Sequence, residues 1–194
     1  MENIELIKQL REETGVSLGQ CKKAIEESGG DLEKAKEILR KWGEDLAGKK
    51  SSRSTKEGII ESYIHANGKI GVLVVLKCET DFVARNPEFK ELAHNLALHI
   101  AASAPEYLSE EDIPEEVIEK EKNLYREQFK NSGKPEEIIE KIIQGKLETF
   151  KKEKVLLNQP YIKDDSKTIR ELLNQYISKL GENITIEKFV RLEI

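Results

Sequence analysis

Cysteine is nearly absent from this sequence. Only Cys21 and Cys78 occur among 194 residues, far apart and each inside a predicted helix or strand. Their spacing fits neither a disulfide framework nor a zinc knuckle. We therefore interpret both as reduced residues that pack in the interior.

Long apolar runs are also missing. No stretch approaches the roughly 20 apolar residues that a membrane-spanning helix requires. Residues 1–20 alternate charged side chains with Leu and Ile, unlike the apolar centre of a signal peptide. A cytoplasmic protein without a membrane partner is expected.

Neither sign of charge dominates the chain. The 32 Lys and Arg residues are interleaved with 37 Asp and Glu residues, and the net charge is -5. Proteins that bind nucleic acid usually carry a segregated basic patch. Direct binding to nucleic acid is therefore not expected.

The residues that carry chemistry do not form a recognisable catalytic pattern. His94 and His99 are five residues apart on one predicted helix, whereas a metal-binding pair is four apart, and His65 ends a strand. Cys78 has no identifiable base nearby. The glycines are dispersed at turns rather than gathered in a phosphate-binding loop. We expect no metal, no cofactor and no enzymatic site.

Residues 3–42 predict three short helices that share a small core. Asn3 is the expected cap of the first helix, Ser17 opens the second with a capping-box pattern, and Asp31 caps the third. Gly43 is the expected end of the third helix. The start of the chain is therefore predicted to form a three-helix module.

The segment after Gly43 is polar and offers little to bury. Its basic cluster, residues 49–54, is more typical of a solvated connector than of a phosphate or nucleic-acid site. The predicted organisation is a module at 1–43, a linker at 44–57 and a second domain at 58–194.

The second domain predicts a small sheet packed with helices. Strands at 58–66 and 70–78 flank Asn67-Gly68, a pair that favours a type I′ hairpin turn. A helix with a broad apolar face follows from Pro87 and is expected to pack across the hairpin.

The remaining segments complete an α+β fold. Narrow apolar seams between 114 and 152 predict a charged helical hairpin. A helix capped by Ser166 or Thr168 ends at Gly181, and a strand at 184–194 is expected to join the sheet. The fold class is thus α+β, with a three-helix module, a linker, a small antiparallel sheet and a helical hairpin.

An acid and an aromatic side chain adjoin at the end of the second strand, in the segment Glu79-Thr80-Asp81-Phe82-Val83-Ala84-Arg85-Asn86. From the pattern alone, the favoured interpretation is that Phe82 folds back into the core. The alternative is an exposed anchor for a partner's pocket, to which Asp81 adds directed charge, as in interface hot spots.

Several motifs, taken in order, resemble the bacterial elongation factor Ts family, the guanine-nucleotide exchange factors of elongation factor Tu. Thr80-Asp81-Phe82-Val83-Ala84 is similar to the central signature of that family. The other matching motifs are Leu10-Arg11-Glu12-Glu13-Thr14-Gly15, Cys21-Lys22-Lys23-Ala24 and Gly30-Asp31 near the start, and Gln159-Pro160-Tyr161 and Ser166-Lys167-Thr168 near the end.

The resemblance implies a protein that binds GDP-bound and nucleotide-free elongation factor Tu and makes no covalent bond. Asp81 and Phe82 would be inserted into the partner near its Mg²⁺ and phosphates, and the motif Thr80, Asp81, Phe82 and Val83 would dislodge the metal. GTP would then replace GDP.

The resemblance also implies a role for the first module, which is similar to ubiquitin-associated domains. Arg11, Leu18 and Gly19 would dock on the partner's G domain. The chain has one hairpin and one closing strand, like the short family members that are associated with dimerisation, so a homodimer is a hypothesis. A binding adaptor for ubiquitin-like or nascent-chain partners is the alternative function.

Overall fold

The computed structural model describes residues 2–130 and 132–194. Its helices are α1 (Glu2–Thr14), α2 (Leu18–Glu27), α3 (Leu32–Lys50), α4 (Asp81–Arg85), α5 (Pro87–Ser103), α6 (Glu115–Phe129), α7 (Glu136–Lys154) and α8 (Ile169–Leu180). Its strands are β1 (Glu57–Ile64), β2 (Ile70–Cys78), β3 (Pro160–Tyr161), β4 (Asp164–Thr168) and β5 (Thr185–Glu193). These elements confirm the α+β fold class.

Helices α1 to α3 enclose a small apolar core of their own. The Ser17 side chain accepts a hydrogen bond from the Gln20 amide, and Asp31 accepts one from the Lys34 amide, so both predicted caps are confirmed. The predicted cap at Asn3 is wrong, because α1 already begins at Glu2 and asparagine costs little within a helix. The buried core residues are Leu10, Val16, Cys21, Ala24, Ile25, Ala35 and Leu39.

Gly43 is the predicted end of the third helix, but that prediction is wrong, because the helix continues to Lys50. Gly43 is buried where α3 crosses α8, and a Cβ atom there would lie 3.7 Å from the Asn174 carbonyl oxygen. A glycine in a helix interior costs about 1 kcal/mol relative to alanine. Packing between α3 and α8 offsets that cost, and Ala47 continues the contact into the main core.

Irregular structure in this connection is therefore confined to residues 51–56. Helix α3 thus extends into the first half of the predicted linker over 44–57. The division of the chain into domains at 1–43 and 58–194 stays a prediction.

Strand β2 is the centre of an antiparallel sheet with the order β1-β2-β5. Helix α5 lies across β1 and β2, which confirms the predicted packing of this helix on the hairpin. The inward side chains of β2, Val72, Val74, Leu76 and Cys78, are buried together with most of the apolar face of α5. Because β2 also pairs with a strand on each side, its backbone is held more firmly than that of the edge strands β1 and β5.

The hairpin between β1 and β2 does not contain the predicted type I′ turn. That turn requires positive φ at both Asn67 and Gly68, but of the two only Gly68 has a positive φ, of 68°. Asn67 instead accepts a hydrogen bond from the Lys69 amide through its side chain, at 2.9 Å. This side-chain bond stabilises a longer loop, which His65 closes by donating its amide to Ile70.

Helices α6 and α7 form the predicted helical hairpin. Arg126 of α6 pairs with Glu140 of α7 at 2.9 Å, and the Lys146 ammonium lies 5.2 Å from the Tyr125 ring centroid. Helix α6 has no buried residue, while α7 buries Ile143 and Leu147. The hairpin is thus held by a narrow seam.

Helix α8 begins and ends where its capping signals predict. Thr168 forms a capping box with Glu171, and Gly181 ends the helix in the left-handed conformation at φ 76°. The chain then turns through residues 181–183 and enters β5 beside the end of β2.

A fully buried histidine joins α5 to the C-terminal half. The His99 Nε2 atom lies 2.9 Å from the Gln159 side-chain oxygen, and Nδ1 accepts the Ile162 amide at 3.3 Å. This pairing fits the neutral ring with its proton on Nε2. Burial lowers the pKa of His99 below its ordinary 6.5, although the Gln159 hydrogen bond opposes the shift.

We predict that His99 makes stability depend on pH. The His99 ring binds a proton more tightly in the unfolded chain than in the folded chain. The contribution of His99 to the free energy of unfolding is therefore complete above the ordinary pKa and decreases as pH falls below that pKa. The free energy of unfolding, measured by urea denaturation at about pH 8 and about pH 5, should fall more for the wild type than for His99→Asn. Equal decreases would contradict this assignment.

Candidate functional site

The acid and aromatic residues lie on a single helical turn at the end of β2. Thr80 is the cap of α4, its hydroxyl accepting the Val83 amide at 3.4 Å. Asn86 ends α4 and caps α5 at once, accepting the Glu88 amide at 2.8 Å. We call residues Thr80–Val83 the tip. Two consecutive caps fix it between a buried strand and a long helix.

Phe82 is 81% exposed. Successive residues of a helix are rotated by about 100°, and α4 places Ala84 and Val83 against the main core, so Phe82 points outward. The pattern-based interpretation of Phe82 as a core residue is therefore wrong. An aromatic ring in this position contributes little to folding and is available to a partner.

The Asp81 carboxylate lies beside Phe82 and pairs with Arg85 at 3.1 Å, one turn along α4. Both side chains are substantially exposed. Exposed ion pairs of this kind contribute less than about 1 kcal/mol. The pair can therefore open without a large penalty when a partner approaches.

A carboxylate from the other end of the chain holds the start of the tip. Glu182 Oε2 accepts the amides of Glu79 and Thr80, both at 3.0 Å, and Oε1 accepts the Thr80 hydroxyl at 2.6 Å. Hydrogen bonds to a charged acceptor are among the stronger ones in proteins. Glu182 is not among the predicted site residues, although its position between Gly181 and the start of β5 is a signal that it lies beside the end of β2.

The loop that carries Glu182 makes further contacts on either side. The Asn183 amide donates to the Glu79 carboxylate at 2.6 Å, and the buried Asn183 side chain donates to the Arg53 carbonyl at 2.9 Å. The Lys50 ammonium donates to the Gly181 carbonyl. The loop at 181–183 therefore joins the tip to the end of α3.

The thiol beneath the tip is a packing group. Cys78 donates its Sγ proton to the Thr80 carbonyl at 3.2 Å. Burial, and after it the charge of Glu182, raise the pKa of the Cys78 thiol to about 11. Cys21 is buried in the first module as well, and both cysteines are free, as predicted.

The predicted docking residues form a second group at the junction of α1 and α2. Arg11 is exposed near the end of α1, and Leu18 and Gly19 are exposed at the start of α2. Leu18 is 53% exposed. A Cβ atom added at Gly19 would meet nothing within 4 Å. An approaching surface could thus reach all three residues.

The remaining histidines have ordinary polar partners. His94 Nδ1 lies 3.1 Å from a Glu61 carboxylate oxygen, and His65 Nδ1 lies 3.1 Å from the Tyr63 hydroxyl. Across residues 2–130 and 132–194, no group of three or more His, Cys, Asp or Glu side chains is placed to hold a metal ion. The same part of the chain contains no helix that is both long and apolar enough to cross a membrane.

The structure defines a class of protein in which a three-helix module precedes an α+β body with an exposed acid–aromatic tip. Comparison of the sequence with known protein families identifies this class. A family model described as Elongation factor TS matches residues 5–194. The chain therefore belongs to the elongation factor Ts family.

Individual relatives match along nearly their whole length. The chain is 59% identical over 186 residues to Elongation factor Ts of Coprothermobacter proteolyticus, covering 96% of this chain and 94% of that protein. It is 57% identical over 192 residues to Elongation factor Ts of Thermotoga maritima, covering 99% and 96%. These matches confirm the resemblance that the sequence motifs indicate.

We predict that Phe82 contributes almost nothing to stability. Phe82→Ala should change the free energy of unfolding by less than about 0.5 kcal/mol, as expected for a surface substitution. Phe89→Ala is the matched control, because the fully buried Phe89 should cost about 3–5 kcal/mol. Urea denaturation measures both. Comparable losses in the two variants would show that Phe82 packs in the core.

Proposed function

We propose that this protein is the guanine-nucleotide exchange factor of elongation factor Tu and acts by protein contact alone. It would bind the GDP-bound partner and promote replacement of GDP by GTP. Family membership supports the proposal, and the exposure of Phe82 on a fixed tip is the observation that carries it. A cytoplasmic location, without cofactor, nucleic acid or membrane, is part of the same proposal.

Phe82 would act as a wedge between packed elements of the partner's G domain. Burying an exposed phenylalanine side chain contributes roughly 1.5–3 kcal/mol. Coupling of about 1–3 kcal/mol between two ligands changes an affinity by roughly 5- to 150-fold. Burial of this one ring is therefore large enough to drive a substantial loss of nucleotide affinity.

The other tip residues would direct and hold the wedge. Asp81 would bring a carboxylate beside the groups that coordinate Mg²⁺ and the phosphates. Displacement of Mg²⁺ leaves the phosphate charge without its counterion, which weakens nucleotide binding. Thr80 and Val83 fix the turn from below, through the cap of α4 and contact with the core.

The exchange must be reversible by linkage. A factor that weakens nucleotide binding is itself weakened, to the same extent, when a nucleotide binds. Incoming GTP would therefore release the factor from its partner. This cycle needs no covalent step.

The first module would hold the partner while the tip acts. Arg11, Leu18 and Gly19 would dock on the G domain. Helix α3 packs on α8, and Arg40 pairs with Glu171 at 3.3 Å. These contacts join the first module to the α+β part of the chain. Docking of the module on the G domain would therefore position the tip on the same partner.

We predict that Phe82→Ala and Asp81→Ala each slow the release of fluorescent GDP from elongation factor Tu. A hot-spot side chain is worth about 2 kcal/mol, or roughly a thirtyfold change. Leu124→Ala, which removes an exposed apolar side chain from α6, should leave release unchanged. Wild-type rates in both tip variants would rule out the proposed mechanism. A pull-down in which elongation factor Tu is not the dominant partner would favour an adaptor.

A second copy of the chain would cover the open face of the sheet. The face of β1, β2 and β5 turned away from α5 exposes apolar side chains, with Ile60 at 69% and Leu192 at 70% exposure. Contiguous apolar patches of this kind mark interaction sites. The exposed apolar residues of this face are Ile60, Ile64, Leu73, Val190 and Leu192.

We predict that Leu73→Glu converts a dimer into a monomer. Leu73 lies on the central strand opposite Val190 and Ser62, so a two-fold interface would bring the new carboxylate close to its own copy. Light scattering measures the mass, and Leu124→Glu on α6 is the control for an exposed leucine. A monomeric mass for the wild type at working concentration, with full exchange activity, would refute the dimer.

A further inference from the structure

The tip cannot be held by its own helix. Helix α4 is 5 residues long and buries only Ala84. A single helical turn is unstable by itself, because nucleation costs more than its few hydrogen bonds return. The geometry of Asp81 and Phe82 must therefore be imposed by groups outside α4.

Glu182 supplies that constraint at the point where β2 ends. Its carboxylate accepts the two successive amides of Glu79 and Thr80 and the Thr80 hydroxyl, at 2.6–3.0 Å. The Thr80 hydroxyl, in turn, accepts the Val83 amide. Glu182 therefore orients the Thr80 hydroxyl, which caps helix α4.

The constraint is reciprocal. Glu79 accepts the Asn183 amide at 2.6 Å, while Glu182 accepts the Glu79 amide at 3.0 Å. The two acidic residues thus clamp the end of β2 to the loop that precedes β5. Since Asn183 also donates to the Arg53 carbonyl, the clamp fixes the tip relative to the connection that follows α3.

We propose that Glu182 is the positioning residue of the tip: its carboxylate presets the turn that presents Asp81 and Phe82, although it lies about one hundred residues further along the chain. This inference rests on the proposed exchange function. A preset tip binds with less loss of conformational entropy than a mobile one. Glu182 would therefore affect exchange only through the tip.

The first test follows the tip without any partner. Glu182→Gln keeps the shape of the side chain but replaces an acceptor oxygen with a donor. Amide hydrogen exchange at Glu79 and Thr80, measured by NMR, should become at least about tenfold faster, since the charged acceptor becomes a neutral amide and its hydrogen bonds weaken. Glu187→Gln removes an exposed carboxylate of β5 that pairs with Lys77, and it should leave both amides unchanged.

The second test measures release of fluorescent GDP from elongation factor Tu. Glu182→Gln should slow release by about tenfold, since a tip that is no longer preset loses more conformational entropy when it binds the partner. In an Asp81→Ala/Phe82→Ala background, the same substitution should cause almost no further slowing, because neither side chain that Glu182 presents is left to position. A merely structural role would slow release equally in both backgrounds.

The outcomes separate this inference from the function on which it rests. Unchanged hydrogen exchange at Glu79 and Thr80 in Glu182→Gln overturns the inference, as does normal GDP release where Phe82→Ala is slow. Equal slowing in both backgrounds also overturns it. If GDP release is normal with both Phe82→Ala and Asp81→Ala, the proposed function of the tip fails, and the hydrogen-exchange result alone decides whether Glu182 holds the tip.

Discussion

The burial of β2 against α5 is the constraint on which the rest of this structure depends. Strand β2 pairs with a neighbour on each side, and its inward side chains are buried by one long helix. Central strands fixed in this way have little freedom to move at their ends. The tip that follows Cys78 therefore starts from a rigid base, and the helix that follows Asn86 holds its other end.

Polar contacts of the loop at 181–183 add to the constraint that the apolar core places on the tip. The loop at 181–183 reaches the tip through Glu182 and the end of α3 through Asn183 and Lys50. Charged and amide groups in such positions are costly to leave unpaired, so the loop has few alternative arrangements. A single short loop thus relates the two surfaces, on the module and at the tip, that we propose to contact one partner.

Most of the fold could be predicted from local signals. The strand at 70–78, the caps at Asp31 and Thr168 and the end of α8 at Gly181 are fixed by residues within a few positions of each boundary. The wrong end predicted for α3 has a distant cause. Helix α3 passes Gly43 because α8 packs against it, and a sequence pattern does not show which helix will lie alongside.

The sequence by itself determined the α+β class, the order of the long helices and of strands β1, β2 and β5, and the family, because periodicity, capping residues and ordered motifs are local properties. Tertiary structure decided which way Phe82 points and what holds it there. Local pattern favours a buried aromatic, but Val83 and Ala84 take the inward positions of α4. The carboxylate of Glu182 meets the tip only because β5 folds back beside β2, a contact between distant residues that no local pattern encodes.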